Sequence, residues 1–87
     1  MYDFTSRYEI KRARRKADSH ISKPEVRKAI LDRDGHKCRS CGAGDNLQID
    51  HIVSARQAAL GAITLDELNE PSNLQVLCRR CNSSKAP

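Results

Sequence analysis

The chain has 87 residues and a formal net charge of +5, from 16 Lys and Arg against 11 Asp and Glu. This length fits one small domain whose thin core needs additional stabilisation, and the basic balance predicts an anionic partner, nucleic acid before a membrane surface. The sequence contains neither an apolar run that could span a bilayer nor a signal peptide, so we expect a cytoplasmic protein without a membrane partner.

Residues 1–21 predict a basic N-terminal arm with a helical pattern. Between Arg7 and Lys16 there are six positive residues and one negative residue, Glu9. Four apolar residues follow helical spacing: Ile10, Ala13, Ala17 and Ile21. We expect Arg12 and Arg15 to contact phosphates, as cations of nucleic-acid-binding proteins do. The three aromatic residues of the chain also lie here: Tyr2, Phe4 and Tyr8. We expect them to pack on the core, and the alternative is stacking on bases.

A second helix is predicted from the capping box of Ser22 and Glu25 to about Arg33, where Asp34-Gly35 ends it. Pro24 lies in its first turn, where proline is tolerated. Its apolar stripe consists of Val26, Ala29 and Ile30.

The central part of the chain predicts one strand followed by short turns. Residues 47–52 alternate apolar and polar side chains, which indicates a strand. Residues 55–60 predict a helical turn, and residues 64–70 predict a short acidic turn that Pro71 ends. A short C-terminal helix is predicted from Cys78 to Lys85.

The four cysteines form two C-x2-C pairs, with 36 residues between the pairs. Two residues between cysteines let one tight turn present both sulfurs to one ion, so two such turns predict a closed four-thiolate zinc site. The alternatives are disulfides, a redox pair or an iron–sulfur cluster. The predicted ligands of structural zinc are Cys38, Cys41, Cys78 and Cys81.

An Asp50-His51 pair lies inside the segment that the cysteines enclose. Adjacent residues of a strand point to opposite faces, so the two side chains need not share a task. Asp50 could bind a hard cation, and His51 could act as a general base near neutral pH. The alternative is a surface pair or a contact that supports another residue.

The combination "CRSCG … LQIDHIV … NLQVLCRRCNSSK" resembles the HNH endonuclease family, in its variety with two C-x2-C pairs. The resemblance covers residues 33–85 and implies a small α+β fold. Its centre would be a ββα-metal unit, held together by the four-cysteine zinc site and preceded by the helical extension. We expect the arm at residues 1–21 and the nuclease domain at residues 22–87, in a protein of bacterial or phage origin.

The resemblance also implies the roles of four residues. His51 corresponds to the general base and Asp50 to a ligand of the catalytic metal. Asn73 corresponds to the middle asparagine, which braces the loop and orients the histidine. The last motif position, usually histidine, is Asn82 here, so the chain is an H-N-N variant. The alternative for Asn82 is a polar residue at a helix terminus without a ligand role.

An aspartate and an asparagine offer oxygen ligands, so we expect Mg²⁺ or Mn²⁺ as the catalytic ion. In the implied mechanism the ion stabilises the charge on the scissile phosphate while His51 takes a proton from the attacking water. One metal and one base predict a nick in one DNA strand per event, by a monomer or a weak homodimer.

Several basic residues near the motif are candidate phosphate contacts. Arg79 and Lys85 flank Asn82 in sequence, and Arg56 follows His51 by five residues. The alternative is a solvated basic face. No segment has the pattern of a recognition helix, so we expect weak sequence preference.

Two function classes compete with the nuclease. One is a zinc-containing nucleic-acid-binding module that has lost catalysis, and the other is a zinc ribbon that binds proteins. The presence of Asp50, His51 and Asn73 argues against both, because neither needs these residues at these positions.

Overall fold

The computed structural model describes residues 4–85, with side chains from residue 9 onward. The packing predicted for Tyr2, Phe4 and Tyr8 lies outside the described side chains. The elements in chain order are α1 (Phe4–Ile21), α2 (Pro24–Arg33), β1 (Leu47–His51), α3 (Ala55–Ala59), α4 (Leu65–Leu68), β2 (Leu74–Cys78) and α5 (Arg79–Ser84).

The two strands form an antiparallel sheet, in which Leu47 lies opposite Cys78 and His51 lies opposite Leu74. A 3-10 turn at Pro71–Asn73 leads into β2, and α5 follows β2 directly. This arrangement confirms the predicted small α+β fold with a ββα unit. Helix α1 covers most of the predicted arm.

The capping box predicted at Ser22 is wrong. Lys23 is the N-terminal cap of α2, and it makes no capping hydrogen bond with its side chain. Ser22 still follows the hydrogen-bond pattern of α1, because its amide donates to the Asp18 carbonyl at 3.1 Å. Its hydroxyl donates to the same carbonyl at 2.7 Å and is therefore turned away from α2. Pro24 lies at the start of α2, as predicted.

Three small clusters of buried residues form the core. The first joins α1 to α3 and α4 through Ala13, Ala17, Ala58 and Leu68. The second packs α2 on the sheet through Ile30, Ile49, Leu74 and Val76. The third consists of Cys38, Leu77 and Cys78. Because each cluster is small, contacts between the clusters matter for stability.

An arginine and an aspartate at the end of α2 connect this helix to β2. The Arg33 guanidinium donates to the Asp34 carboxylate at 2.8 Å and to the carbonyls of Pro71 and Leu74 at 2.7 and 2.6 Å. Asp34 also accepts from the Val76 amide at 3.0 Å. The hydrogen bonds from Arg33 hold the pKa of Asp34 below its usual value.

Candidate active site and metal centre

The four cysteine sulfurs lie within 4.8 Å of one another, and none forms a disulfide. Cys41 Sγ and Cys78 Sγ are 3.7 Å apart. Four thiolates at about 2.3 Å from one zinc ion would be separated by about 3.8 Å, so the cluster has the right size. In each pair the amide of the second cysteine points at the first sulfur, at 3.5 Å in Cys38–Cys41 and 3.4 Å in Cys78–Cys81.

The protonation of this cluster also favours a cation. Hydrogen bonds to the neighbouring thiols, first Cys78 and then Cys41 and Cys38, raise the pKa of Cys81. Burial acts to raise the pKa of Cys38, but hydrogen bonds from backbone amides lower it overall. Four thiolates within 4.8 Å of one another repel, so a positive ion among them would be needed to hold all four. The donor set fits zinc.

Asp50 and His51 lie at the end of β1, and their side chains have different partners. The Asp50 side chain is 11% exposed and faces α5. Its Oδ2 accepts from Lys85 Nζ at 2.7 Å and from Gln75 Nε2 at 3.0 Å. Lys85 Nζ also donates to the His51 carbonyl at 2.6 Å. Lys85 therefore connects the end of α5 to the end of β1.

Asn82 lies on α5, and its side chain reaches back to β1. Its Nδ2 donates to Gln48 Oε1 at 2.6 Å, so the carbonyl oxygen is the atom that could bind a cation. Asn82, Asp50 and His51 line the same cleft, whose volume is about 650 Å³. A carboxylate and an amide oxygen on one cleft wall suit Mg²⁺ or Mn²⁺, so the residues present fit such an ion.

The imidazole of His51 contacts a residue that the sequence analysis missed. His51 Nε2 lies 3.0 Å from Oδ1 of Asn69, the residue that ends α4. The two residues are 18 positions apart in sequence. No motif connects them, and they meet through the tertiary fold, in which Leu68 packs on α1 and α3.

Asn73 is buried and braces the chain that leaves β1. Its Oδ1 accepts from the Val53 amide at 2.8 Å, and its Nδ2 donates to the carbonyls of Val53 and Leu68 at 3.0 and 2.8 Å. Its own carbonyl accepts from the Ile52 amide at 2.8 Å. These contacts fix the backbone directly after His51.

The predicted phosphate contacts are distributed over several surfaces. Arg56 and Lys85 line the cleft of Asp50 and His51, whereas Arg79 borders a separate concavity beside Cys41 and Cys78. On α1, Arg12 and Arg15 are exposed, and Arg15 lines a groove along the helix.

Three further arginines line the cleft of His51 or the neighbouring one. Arg14 of α1 lines the cleft that contains His51. Arg39 and Arg80 line a neighbouring cleft of about 720 Å³, which shares Lys85 with the first. The helical spacing of Ala13 and Ala17 could have indicated the position of Arg14. A residue next to a buried position on a helix lies at the edge of the packed face.

His36 lies apart from the cleft. It is exposed, and its Nε2 lies 2.8 Å from the Asp32 carboxylate of α2. Within residues 4–85 no helix has the length and apolar character needed to cross a membrane.

A family model described as HNH endonuclease matches residues 38–87. These residues include all four cysteines and the Asp50-His51 pair. No curated protein and no solved structure matches the chain significantly.

Proposed function

Because the chain belongs to the HNH endonuclease family, we propose that it is a divalent-metal-dependent nuclease that nicks one DNA strand per event with low sequence specificity. One observation carries this proposal: Asp50, His51 and Asn82 come from two elements and line one cleft. The order of these residues along the chain follows the family's motif, with asparagine at the last position. The proposed site is therefore an H-N-N variant.

The chemistry can be assigned to the chain's own residues. His51, which is half-buried at the cleft, accepts a proton from the attacking water. Asp50 and the oxygen of Asn82 would hold Mg²⁺ or Mn²⁺, which supplies positive charge for the phosphate in the transition state. Asn73 fixes the backbone after His51, and Lys85 fixes the His51 carbonyl. One base in one cleft supports cleavage of one strand per encounter.

The distribution of cations supports a path for the DNA backbone. Arg14 and Arg56 lie on the wall of the cleft that contains His51, and Arg39 and Arg80 line the neighbouring cleft. Arg12 and Arg15 extend the positive surface along α1, and we include Arg79 as a more distant contact. Such contacts bind phosphates without reading bases, which agrees with low sequence specificity.

The wider assignments are part of the same proposal. We assign residues 1–21 to a DNA-binding arm and residues 22–87 to the nuclease domain, with structural zinc at the four cysteines. Thiolate ligands of this kind persist in a reducing compartment, which supports a cytoplasmic location. A bacterial or phage origin is part of the same proposal. We propose a monomer or a weak homodimer.

A second candidate function is a nucleic-acid-binding module without effective catalysis. The ion pair between Lys85 and Asp50 favours it, because the ammonium group lies 2.7 Å from the carboxylate that would bind the metal. A cation must compete with this pair, whereas DNA binding alone need not disturb it.

Conversion of supercoiled plasmid to open circles in Mg²⁺ or Mn²⁺ tests the nuclease. We expect nicking by the wild type, its loss with EDTA, and a rate lower by a factor of about 10² to 10⁴ in His51→Ala. His36→Ala is the matched control, since His36 is exposed and does not line the cleft of His51. Equal nicking by wild type and His51→Ala would contradict the proposal. DNA binding without any nicking would favour the binding module.

A further inference from the structure

We propose that Asn69 is a positioning residue that holds the His51 imidazole as its Nε2–H tautomer, which leaves Nδ1 free to act as the general base. This inference rests on the proposed function and adds a residue to its site. The contact that carries it is the 3.0 Å distance between His51 Nε2 and Asn69 Oδ1. Both side chains are partly buried, so water competes little for this hydrogen bond.

The orientation of the Asn69 amide follows from its second contact. Asn69 Nδ2 donates to the Lys16 carbonyl of α1 in a long hydrogen bond of 3.5 Å. A carbonyl cannot donate, so the nitrogen of the amide faces α1 and the oxygen faces His51. Because this oxygen only accepts, Nε2 must carry the hydrogen, and Nδ1 of the neutral ring then holds the free lone pair.

The surroundings of both residues hold this arrangement in place. The His51 carbonyl accepts from Lys85 Nζ at 2.6 Å, which fixes the backbone beneath the ring. Asn69 directly follows Leu68, which is fully buried and whose carbonyl accepts from Asn73 Nδ2 at 2.8 Å. The backbone is therefore held in place at both His51 and Asn69. This fixes the distance between Nε2 of the ring and its acceptor, Asn69 Oδ1.

The resemblance implied that Asn73 alone braces the loop and orients the histidine. In this geometry two asparagines share these roles. The hydrogen bonds of the Asn73 side chain go to the backbone of Val53 and Leu68. The His51 imidazole instead donates to Asn69 Oδ1. Through Lys16, the orientation of Asn69 also depends on α1, which precedes the residues that the family model matches.

Two substitutions separate the hydrogen bond from the packing of the side chain. Asn69→Leu keeps a similar volume but removes the acceptor, whereas Asn69→Asp retains an oxygen that accepts from Nε2. We expect Asn69→Leu to lower the nicking rate by about 10- to 100-fold, with unchanged DNA affinity in EDTA. Asn69→Asp should restore most of the rate. Zinc content and circular dichroism identify any variant that fails to fold.

The tautomer can be read independently of activity. Long-range ¹H–¹⁵N spectra of the neutral imidazoles distinguish Nε2–H from Nδ1–H. The chain has three histidines, and the set of signals that disappears in His51→Ala belongs to His51. The zinc-loaded protein without Mg²⁺ should show the Nε2–H form. Asn69→Leu should show a mixture of the two forms.

A wild-type tautomer in folded Asn69→Leu would overturn the inference, as would nicking at the wild-type rate. Failure of the proposed function gives a different result. In that case no variant nicks DNA, but the spectra still report whether Asn69 sets the tautomer of His51. If the protein does not nick DNA but the tautomer of His51 still changes in Asn69→Leu, the role of Asn69 is limited to holding the ring.

Discussion

At the scale of single residues, position 82 decides which metal the proposed site prefers. An imidazole nitrogen at this position would favour Ni²⁺, Cu²⁺ or Zn²⁺, whereas the amide oxygen of Asn82 favours harder ions. Gln48 strengthens this choice because it accepts from Asn82 Nδ2 at 2.6 Å, which directs the oxygen away from β1. Asp50 lines the same cleft and would supply the second hard donor.

We therefore expect the wild type to nick plasmid in Mg²⁺ and Mn²⁺, with Mn²⁺ more effective at low concentration. Asn82→His should shift the preference toward Ni²⁺, since it adds a nitrogen ligand. Asn82→Asp is the matched control, because it retains an oxygen donor and should keep the preference for Mg²⁺ and Mn²⁺. A metal series in the plasmid assay measures this. Wild-type activity that is highest in Ni²⁺ would refute the oxygen-donor site.

Lys85, a residue of the motif, has hydrogen-bond partners within the protein itself. The sequence predicts a phosphate contact, and the structure places its ammonium group on Asp50 and on the carbonyls of His51 and Ile52. These contacts align Asp50 with the end of α5. The phosphate contact stays a prediction for the DNA-bound protein.

At the scale of elements, the pair of Arg33 and Asp34 attaches α2 to β2. The Asp34 side chain is only 4% exposed and accepts from both Arg33 and the Val76 amide. Asp34→Asn removes the charge and weakens these hydrogen bonds. We expect the free energy of unfolding to fall by about 1–3 kcal/mol, measured by urea denaturation of the zinc-loaded protein at pH 7.

The pH dependence of this loss follows from the lowered pKa of Asp34. A carboxyl group whose pKa is lower in the folded state stabilises the fold fully above its unfolded pKa of about 3.9, and the stabilisation disappears as the pH falls through the folded pKa. The difference between wild type and Asp34→Asn should therefore stay constant from about pH 8 to pH 5. Asp32→Asn is the control on an exposed aspartate, and it should leave the urea midpoint nearly unchanged. A difference that shrinks within this range would contradict the assignment.

The elements that sequence patterns predicted are those with a strong local signal. The alternation in residues 47–52 predicted β1, which ends one residue earlier, at His51. The helix predicted for residues 55–60 ends at Ala59, and the helix predicted from Cys78 begins at Arg79. In α5 the Cys78 sulfur takes the capping position and accepts from the Cys81 amide.

Strand β2 and the Asn69 contact could not be predicted from periodicity. Leu74, Val76 and Leu77 are all buried, because α2 covers one face of β2 and the cysteine cluster covers the other. A strand covered on both faces loses its alternation. Asn69 reaches His51 only through tertiary packing, which no local pattern encodes.

At the scale of the whole molecule, the four-cysteine cluster connects segments that are far apart in sequence. Cys38 and Cys41 precede the sheet, whereas Cys78 and Cys81 lie at the junction of β2 and α5. The Arg79 amide donates to the Asn46 carbonyl at 2.8 Å, and the Arg39 amide donates to the Val76 carbonyl at 2.9 Å. The cysteine turns are thus attached to β2 and to the residue before β1, the strand that carries Asp50 and His51.

Removal of zinc should therefore unfold the ββα unit and not only its cysteine turns. Cys38 and Cys78 are themselves core residues, and four thiols without a cation lose the attraction that holds them together. We expect a chelator that strips zinc to abolish most of the helical circular dichroism signal, and added Zn²⁺ under reducing conditions to restore it. Mg²⁺ should not restore the signal, because thiolates bind this hard ion poorly. A circular dichroism spectrum that is unchanged after verified loss of zinc would show that the three small hydrophobic clusters suffice without the metal.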